Sequence, residues 1–431
     1  MYRKIMKNLS EWKNSPYRKP LILQGARQVG KTFSVLEFGR ENYQNVAYFN
    51  FETDLNLAQV FAESIDPKDL IPQLSLHSKQ SILRGETLIF LDEIQLCPRA
   101  LTSLKYFCEF APDYHIIVAG SLLGVAVNRE TFSFPVGKVN SLTLRPMDME
   151  EFLLAFGLDE LVTKIKNCFE GNLPLPFIEH EELLKKYRQY LVVGGMPECV
   201  DKYLRTLDFV LIRHIQKEIL GNYLNDMSKY NNQNEIKKTR LVYDNITVQL
   251  SKKNTRFQYK LIKTGARASE FENAIEWLTL SGIVNRIYRL DHPQKPLDNY
   301  RDIDSFKTYV SDPGLLCAKK DIVAEDVLYL SSDLDDFKGG MVENYVYCQL
   351  LANDYKSYYW TSSRGAEVDF VIQREGKIIP IEVKSADNTK AKSLSIYISV
   401  FKPEYSIKLS TKNFGFEDGK KTVPLYAAFC I

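Results

Sequence analysis

The stretch from Leu21 to Thr32, LILQGARQVGKT, decides the fold of the first part of the chain. A short apolar run, typical of a buried strand, leads directly into Gly25, Gly30, Lys31 and Thr32, which complete the pattern G-x-x-x-x-G-K-[ST]. The backbone N–H groups of such a loop, together with the positive end of the following helix, form a site for polyphosphate. We therefore expect a parallel α/β domain that binds a nucleoside triphosphate in this loop. The alternative is a glycine-containing turn before an ordinary helix.

Each part of the loop has its own role in this prediction. Gly25 and Gly30 let the backbone approach the phosphate oxygens, because a side chain at either position would block that approach. Lys31 would reach the β- and γ-phosphates, and Thr32 would offer its hydroxyl to Mg²⁺. The residues predicted to bind ATP are Gly25, Ala26, Arg27, Gln28, Val29, Gly30, Lys31 and Thr32.

A second motif lies at the end of another apolar run, Thr87 to Leu91, which is followed by Asp92 and Glu93. Such a run is typical of a buried parallel strand, so both acids are expected at the tip of a strand. Asp92 would hold the coordination shell of Mg²⁺, and Glu93 would orient and deprotonate the attacking water. The alternative is an acid pair near the start of the helix predicted from Pro98 to Phe110.

Length and composition are those of a soluble globular protein with several domains. The chain has 431 residues, of which 45% are hydrophobic and 26% charged, and this length predicts two to four domains. There is no apolar run of about eighteen residues and no signal-peptide core, so we expect a cytoplasmic protein without a membrane segment. The 7 Cys contain no C-x-x-C pair, which argues against a disulfide framework or a zinc site.

Five stretches together resemble a known family. They are GARQVGKT (25–32), LIFLDEIQ (88–95), IIVAGSLLG (116–124), FPVGKVNSLTLRPMDMEEFL (134–153) and LVVGGMPECV (191–200). In combination they are similar to the bacterial AAA-type ATPases that carry a C-terminal domain of unknown function, and the resemblance extends over essentially the whole chain. It implies ATP binding, ATP hydrolysis and a small helical lid that contains Gly194 and Gly195.

The resemblance also implies one further residue of the ATPase site. AAA-type ATPases place a polar residue that senses the γ-phosphate after the strand predicted here from His115 to Ala119, and Ser121 fills that place. On its own, Gly120-Ser121 would indicate only a turn. The resemblance does not fix an arginine finger, a group worth about three or more orders of magnitude in rate. Arg129 and Arg145 both follow the same strand outside any motif, and Arg129 is the candidate.

The middle of the chain is basic and is predicted to contain helices and a wing. Between residues 205 and 267 there are 13 Lys or Arg against 5 Asp or Glu. Helical patterns at 236–250 and 268–281, followed by an alternating strand at 283–290, favour a winged helix. The side chains predicted to contact phosphates are Lys252, Lys253, Arg256, Lys260, Lys263 and Arg267. The alternatives are a solvated basic surface and a module that only packs between its neighbours.

The last part of the chain carries a second acidic pattern. Glu343 lies in a predicted helix, a predicted hairpin brings Asp369 beside Glu382, and Lys384 shares the strand face of Glu382. This pattern resembles the PD-(D/E)xK nuclease fold, which implies that these four side chains bind Mg²⁺ and cut phosphodiesters. The chain departs from the motif at Val368, where a proline is expected. The alternatives are a binding module of the same shape and the exposed polar face of a hairpin.

Together these patterns predict an α/β protein of four parts. They are a P-loop AAA-type core with a parallel sheet covered by helices (1–155), a helical lid (156–230), a winged-helix-like module (231–312) and a small α/β PD-(D/E)xK nuclease-like domain (313–431). The predicted function is hydrolysis of ATP with Mg²⁺, coupled to DNA binding by the C-terminal half. The alternatives are an ATP-dependent nuclease and a slow nucleotide switch or scaffold that binds a protein partner. Further copies of the same chain are also candidate partners.

Overall fold

The computed structural model describes residues 1–120, 134–230, 233–252, 256–329, 331, 334–385 and 392–431. Three residues with predicted roles lie outside the described residues, namely Ser121, Arg129 and Lys253. The chain divides into two compact units. The N-terminal unit comprises residues 2–145 and 280–282, and the C-terminal unit comprises residues 1, 146–279 and 283–431.

The N-terminal unit is built on a parallel sheet. Its strands, in the described part of the chain, are β1 (Leu21–Gln24), β2 (Asn45–Asn50), β3 (Thr87–Asp92), β4 (His115–Ala119) and β5 (Asn140–Thr143). They lie in the order β2-β3-β4-β1-β5, and each neighbouring pair is parallel. Every residue of β3 is buried, as expected for an inner strand of a parallel sheet. The prediction of a parallel α/β domain is therefore confirmed.

Helices cover this sheet through an apolar cluster. The helices described in the unit are α1 (Ile5–Asn14), α2 (Lys31–Asn42), α3 (Leu57–Glu63), α4 (Pro67–Ser78) and α5 (Pro98–Phe110). Phe61, Leu74 and Leu104, from α3, α4 and α5, belong to the same buried cluster as Ile89 of β3. Full burial of one such side chain contributes about 1.5–3 kcal/mol, so this cluster holds three helices against the sheet.

The C-terminal unit begins with a series of helices. In the described residues these are α6 (Met149–Ala155), α7 (Asp159–Gly171), α8 (Phe177–Val193), α9 (Pro197–Thr206), α10 (Phe209–Tyr230), α11 (Gln233–Leu250) and α12 (Ala268–Leu280). A capping box of Asp148 and Glu151 starts α6, so two orphan N–H groups of its first turn are satisfied. The helices α11 and α12 lie where the sequence pattern predicts them.

A mixed sheet of eight strands forms the rest of the C-terminal unit, in the described part of the chain. Its strands are β6 (Val284–Leu290), β7 (Arg301–Val310), β8 (Tyr358–Thr361), β9 (Glu367–Arg374), β10 (Lys377–Val383), β11 (Ser406–Ser410), β12 (Gly415–Glu417) and β13 (Lys420–Pro424). Their order across the sheet is β12-β13-β11-β10-β9-β8-β6-β7.

The predicted wing is part of this sheet. Strand β6 pairs antiparallel with β7 and parallel with β8, so the strands of residues 231–312 and 313–431 share one hydrogen-bonded ladder. The strand expected at 283–290 is present as β6, but it is not a free edge. The winged helix itself, and the boundaries after residues 155, 230 and 312, remain predictions.

Among the described residues, four more helices pack in this region. They are α13 (Pro313–Lys319), α14 (Ala324–Leu328), α15 (Asp335–Ala352) and α16 (Lys392–Phe401). The last of them reaches the sheet through an aromatic side chain, with Tyr397 of α16 packed edge-on against Trp360 of β8 at a centroid distance of 5.3 Å. Within the residues that the structure describes, no helix has the length and apolar character needed to cross a membrane.

The glycine pair between α8 and α9 is tied to the start of α13 by one buried side chain. Asp312 accepts a hydrogen bond from the backbone N–H of Gly195 at 2.6 Å and another from the N–H of Leu315, in α13, at 2.8 Å. A Cβ placed on Gly194 would lie 2.2 Å from Oδ1 of Asp312, so the turn requires glycine there. One carboxylate therefore joins three parts of the C-terminal unit.

Candidate functional site

The phosphate loop lies between the end of β1 and the start of α2. Gly25 and Gly30 have φ angles of 146° and 91°, which favour glycine over residues with a side chain. A Cβ on Gly25 would lie only 2.2 Å from the carbonyl oxygen of Leu144, so substitution there would displace the loop. Gln28 also has a positive φ angle, 64°, at the crest of the loop. The backbone conformation thus fits the loop predicted from the sequence.

Lys31 stands at the first position of α2 and is buried. Its Nζ donates hydrogen bonds to the carbonyl oxygens of Gly25 at 2.8 Å and Ala26 at 2.7 Å. Burial lowers the pKa of Lys31 to about 8, against the opposing effect of Glu93 and Asp92. The ammonium group of Lys31 is therefore held against the backbone of the loop, within reach of a phosphate bound there.

Thr32 and Asp92 meet at the carboxyl end of the sheet. The hydroxyl of Thr32 donates to Oδ2 of Asp92 at 2.7 Å, and the Tyr48 hydroxyl donates to the same oxygen at 3.2 Å. A hydroxyl and a carboxylate are oxygen ligands of the kind that Mg²⁺ prefers, and Mg²⁺ is usually held by few protein groups plus substrate phosphates. This pair fits the predicted metal position.

Glu93 follows β3 in a left-handed conformation, with a φ angle of 53°. Its Oε2 accepts a hydrogen bond of 2.5 Å from Nε2 of Gln95, in a short 3₁₀ helix. Burial raises the pKa of Glu93, and Gln95 opposes that rise. Glu93 is the N-cap residue of that 3₁₀ helix and Cys97 that of α5, and neither side chain makes a capping bond, so the position near a helix start remains the alternative interpretation of the acid pair.

Several residues at this site were not predicted from the sequence. Gln95 is nearly fully buried and lies two residues after Glu93. Because it belongs to the LIFLDEIQ stretch, its closeness to Glu93 in the sequence could have identified it as a residue of the site. Arg3 donates to the carbonyl oxygen of Val29 at 2.9 Å and to that of Arg145 at 2.6 Å. No sequence pattern points to Arg3, because its partners are 26 and 142 residues away.

The acidic side chains predicted in the last part of the chain lie close together in the C-terminal unit. The antiparallel register of β9 and β10 pairs Phe370 with Ile381, which places Asp369 beside Glu382 as predicted. Oδ2 of Asp369 accepts a hydrogen bond from the backbone N–H of Val383 at 2.7 Å. Nζ of Lys384 lies 2.5 Å from Oε1 of Glu382.

Glu343, on α15, faces a residue that the sequence did not predict. Nζ of Lys307, on β7, lies 2.8 Å from Oε1 of Glu343 and 2.7 Å from Oε1 of Glu367. The hydroxyl of Tyr309 donates to the same oxygen of Glu343. Burial raises the pKa of Asp369, as do the nearby charges of Glu343 and Glu382. Among the described residues, no three His, Cys, Asp or Glu side chains are arranged to hold a metal ion.

Three family models match separate parts of the chain. A model described as an AAA domain matches residues 17–153. A domain of unknown function (DUF8612) matches residues 184–326, and a second domain of unknown function (DUF4143) matches residues 338–428. None of the curated proteins compared with the chain matches it significantly.

Solved structures with a related fold have low sequence identity. A Walker-type ATPase of Pyrococcus abyssi is 16% identical, with a TM-score of 0.43 over 73% of this chain and 94% of that chain. The ORC1 protein of Aeropyrum pernix, solved in complex with DNA, is 13% identical, with a TM-score of 0.30 over 76% and 91%. The RuvB branch migration motor of Thermotoga maritima is 11% identical, with a TM-score of 0.29 over 66% and 90%. All three TM-scores are below 0.5, so these similarities carry no argument about function.

The AAA-domain match and the geometry of the N-terminal unit agree. Residues 17–153 contain the complete phosphate loop and the acid pair after β3, both at the carboxyl end of a parallel sheet. Ligands of open α/β sheets bind at this end. Residues 17–153 of the chain therefore form an AAA-type ATPase domain.

Proposed function

We propose that the chain hydrolyses ATP at the loop between β1 and α2 and that the bound nucleotide controls binding of DNA by the basic segment at 205–267. The contact between Thr32 and Asp92, at 2.7 Å, is the observation that carries the first part of this proposal. It joins the end of the phosphate loop to the acid pair across 60 residues of sequence. A chance glycine turn would give no reason for these two groups to meet.

In this proposal the loop and Lys31 bind the phosphates of ATP. The N–H groups of residues 25–32 and the positive end of α2 attract the negative charge. Lys31 exchanges its two carbonyl partners for phosphate oxygens. Thr32 and Asp92 would hold Mg²⁺, which when bound neutralises charge on the phosphate oxygens. Ser121 keeps the sensor role that the resemblance implies, and Arg129 stays the candidate for an arginine finger.

Glu93 is the proposed general base. A carboxylate whose pKa is raised by burial is a stronger base near neutral pH than an exposed one, and the pKa of Glu93 is raised in this way. Gln95 donates to one carboxylate oxygen and so fixes the direction of the other toward the reacting water. Gln95 is a positioning residue in this proposal, because it acts through Glu93.

Two substitutions test the ATPase part. Lys31→Ala should abolish nucleotide binding in calorimetry, because the buried ammonium is lost from the loop. Glu93→Gln should keep ATP bound but slow its turnover by about two to four orders of magnitude, the usual contribution of a general base. Lys68→Ala, an exposed lysine on α4, is the matched control and should change neither quantity. Unchanged turnover in Glu93→Gln would remove the general-base role.

The DNA part rests on exposed basic side chains of the C-terminal unit. Lys252, Arg256, Lys260, Lys263 and Arg267 are all exposed. They lie between α11 and α12, within 16 residues of sequence, in a segment with 13 basic against 5 acidic residues overall. Each phosphate that such groups neutralise adds about −0.9 to the slope of log affinity against log salt concentration. The proposed contacts are to phosphates, so they give affinity without sequence preference.

The test of this part uses three lysine or arginine substitutions. The triple variant Lys260→Ala/Lys263→Ala/Arg267→Ala should bind duplex DNA more weakly and lower the salt slope by about 2 to 3. The control triple, Lys68→Ala/Lys79→Ala/Lys105→Ala, removes exposed lysines of the N-terminal unit and should leave the slope unchanged.

ATP turnover with and without DNA, at two salt concentrations, tests the coupling. We expect stimulation by DNA at low salt and less at high salt. If neither turnover nor DNA affinity responds to salt, the DNA part is wrong. Slow turnover with tight ATP retention would then favour the nucleotide switch that binds a protein partner.

A further inference from the structure

The acidic cluster of the C-terminal unit contains a cation of its own. We define it by Glu343, Glu367, Asp369 and Glu382, with the ammonium groups of Lys307 and Lys384. From these contacts we infer that Lys307 takes the place of a divalent cation in this cluster, so that the sheet has the shape of a nuclease site but does not cut phosphodiesters. This inference goes beyond the proposed function, because it is independent of ATP and of DNA binding.

The position of Lys307 is the first step. Its Nζ lies 2.8 Å from Glu343 and 2.7 Å from Glu367, so it bridges carboxylates from α15 and from β9. The residue is 0% exposed, and its Nζ also lies 5.0 Å from the centre of the Tyr359 ring. A lysine is rarely buried to this extent unless it is paired. The ammonium is therefore a fixed internal cation rather than a mobile surface group.

One oxygen of the helix carboxylate Glu343 is fully occupied. Oε1 of Glu343 accepts from both Lys307 and the Tyr309 hydroxyl, which occupy both lone pairs of that oxygen. Mg²⁺ requires oxygen ligands at about 2.0–2.1 Å in near-octahedral geometry. A divalent ion bound to this oxygen would have to displace Tyr309 or stand next to the buried ammonium of Lys307.

Asp369 and Glu382 each have one carboxylate oxygen engaged. Asp369 accepts the N–H of Val383 at 2.7 Å, and Glu382 pairs with Lys384 at 2.5 Å. Oε2 of Glu382 is the one acceptor of these side chains found buried without a hydrogen-bond partner in the described structure. Lys307 and Lys384 supply these carboxylates with the positive charge that a divalent cation would otherwise supply. This agrees with the absence, among described residues, of any metal-holding group of three acidic, His or Cys side chains.

Counting Mn²⁺ ions bound to the whole chain without nucleotide tests the inference directly. The Asp92→Asn variant serves as the parent protein for this test, because the substitution removes a ligand of the Mg²⁺ site proposed at the ATPase site. Titration followed by electron paramagnetic resonance should find no tight Mn²⁺ site in this parent. A site that is present in the parent and lost on adding Asp369→Asn would overturn the inference.

Removing the lysine should create the missing site. In the same background, Lys307→Met leaves Glu343 and Glu367 without a counter-cation, so we expect at least tenfold tighter Mn²⁺ binding and a melting temperature that rises with Mn²⁺. Lys319→Met is the matched control, since Lys319 is a largely buried lysine paired with Asp244 at 3.0 Å. It should gain no Mn²⁺ site. A folded Lys307→Met variant without a new site would overturn the role given to Lys307.

A second variant tests the inference even if Lys307→Met does not fold. Lys307→Met/Glu343→Gln removes one positive and one negative charge together, and it keeps Glu367, Asp369 and Glu382. It should also gain Mn²⁺ binding, and its failure to do so when folded would count against the inference. Plasmid DNA incubated with the unsubstituted chain and Mg²⁺ or Mn²⁺ should stay uncut. Nicking that disappears in Asp369→Asn would contradict the inference while leaving the ATPase proposal intact.

Discussion

Gln95 is the residue through which the structure adds most to the proposed ATPase site. It is nearly fully buried, it donates to Glu93, and its Oε1 has no hydrogen-bond partner in the described structure. A Cβ on Gly120, at the end of β4, would lie 2.2 Å from that oxygen, so Gln95 is packed tightly between β3 and β4. Such a position allows Gln95 to control the orientation of the Glu93 carboxylate.

Gln95→Ala should lower kcat about tenfold to a hundredfold and leave the Kd for ATP unchanged, because it loosens the general base without touching the loop. Steady-state kinetics and calorimetry separate the two quantities. Gln80→Ala, an exposed glutamine on the same unit, is the control. Equal losses of kcat and of ATP affinity would show instead that Gln95 supports the fold of the site.

At the scale of elements, the turn between α8 and α9 depends on the start of α13. Asp312 is completely buried and accepts hydrogen bonds from the backbone N–H groups of Gly195 in the turn and Leu315 in α13. Burial raises the pKa of Asp312 from 3.8 to about 6. The folded chain therefore keeps a proton on this carboxyl at pH values where the unfolded chain has lost it. The stability contribution of that proton is fully present below about pH 4 and is lost as the pH rises through about 6.

Asp312→Asn should flatten this pH dependence. A pKa difference of about 2 corresponds to about 3 kcal/mol, so the free energy of unfolding of the unsubstituted chain, relative to the variant, should fall by roughly that amount between pH 4 and 7. Urea denaturation at a series of pH values measures it. Asp66→Asn removes the exposed N-cap carboxylate of α4 and is the control. Parallel curves for Asp312→Asn and the unsubstituted chain would contradict the prediction.

For the whole molecule, the sequence predicted motifs made of contiguous residues and did not predict contacts between residues far apart in the chain. The phosphate loop, the acid pair after β3 and the hairpin of β9 and β10 are contiguous patterns, and the structure shows each backbone conformation as expected. Arg3 donates hydrogen bonds to residues 26 and 142 positions away in the sequence. Lys307 contacts residues 36 and 60 positions away, so only the fold brings these partners together. The roles of Ser121 and Arg129 stay predictions, since both lie outside the described residues.

The shared sheet makes a prediction about how the C-terminal unit unfolds. Because β6 is hydrogen-bonded to both β7 and β8, residues 284–310 should lose structure together with β8 to β10 rather than as a separate module. Ile372→Ala, at a fully buried position of β9, should cost about 2–5 kcal/mol. Hydrogen exchange should then quicken in β6 and β7 as much as in β9. Ile303→Ala, at a position of β7 that is 64% exposed, is the control and should have little effect. If β6 and β7 kept their protection in Ile372→Ala, residues 231–312 would be an independent module, as the predicted boundary after residue 312 implies.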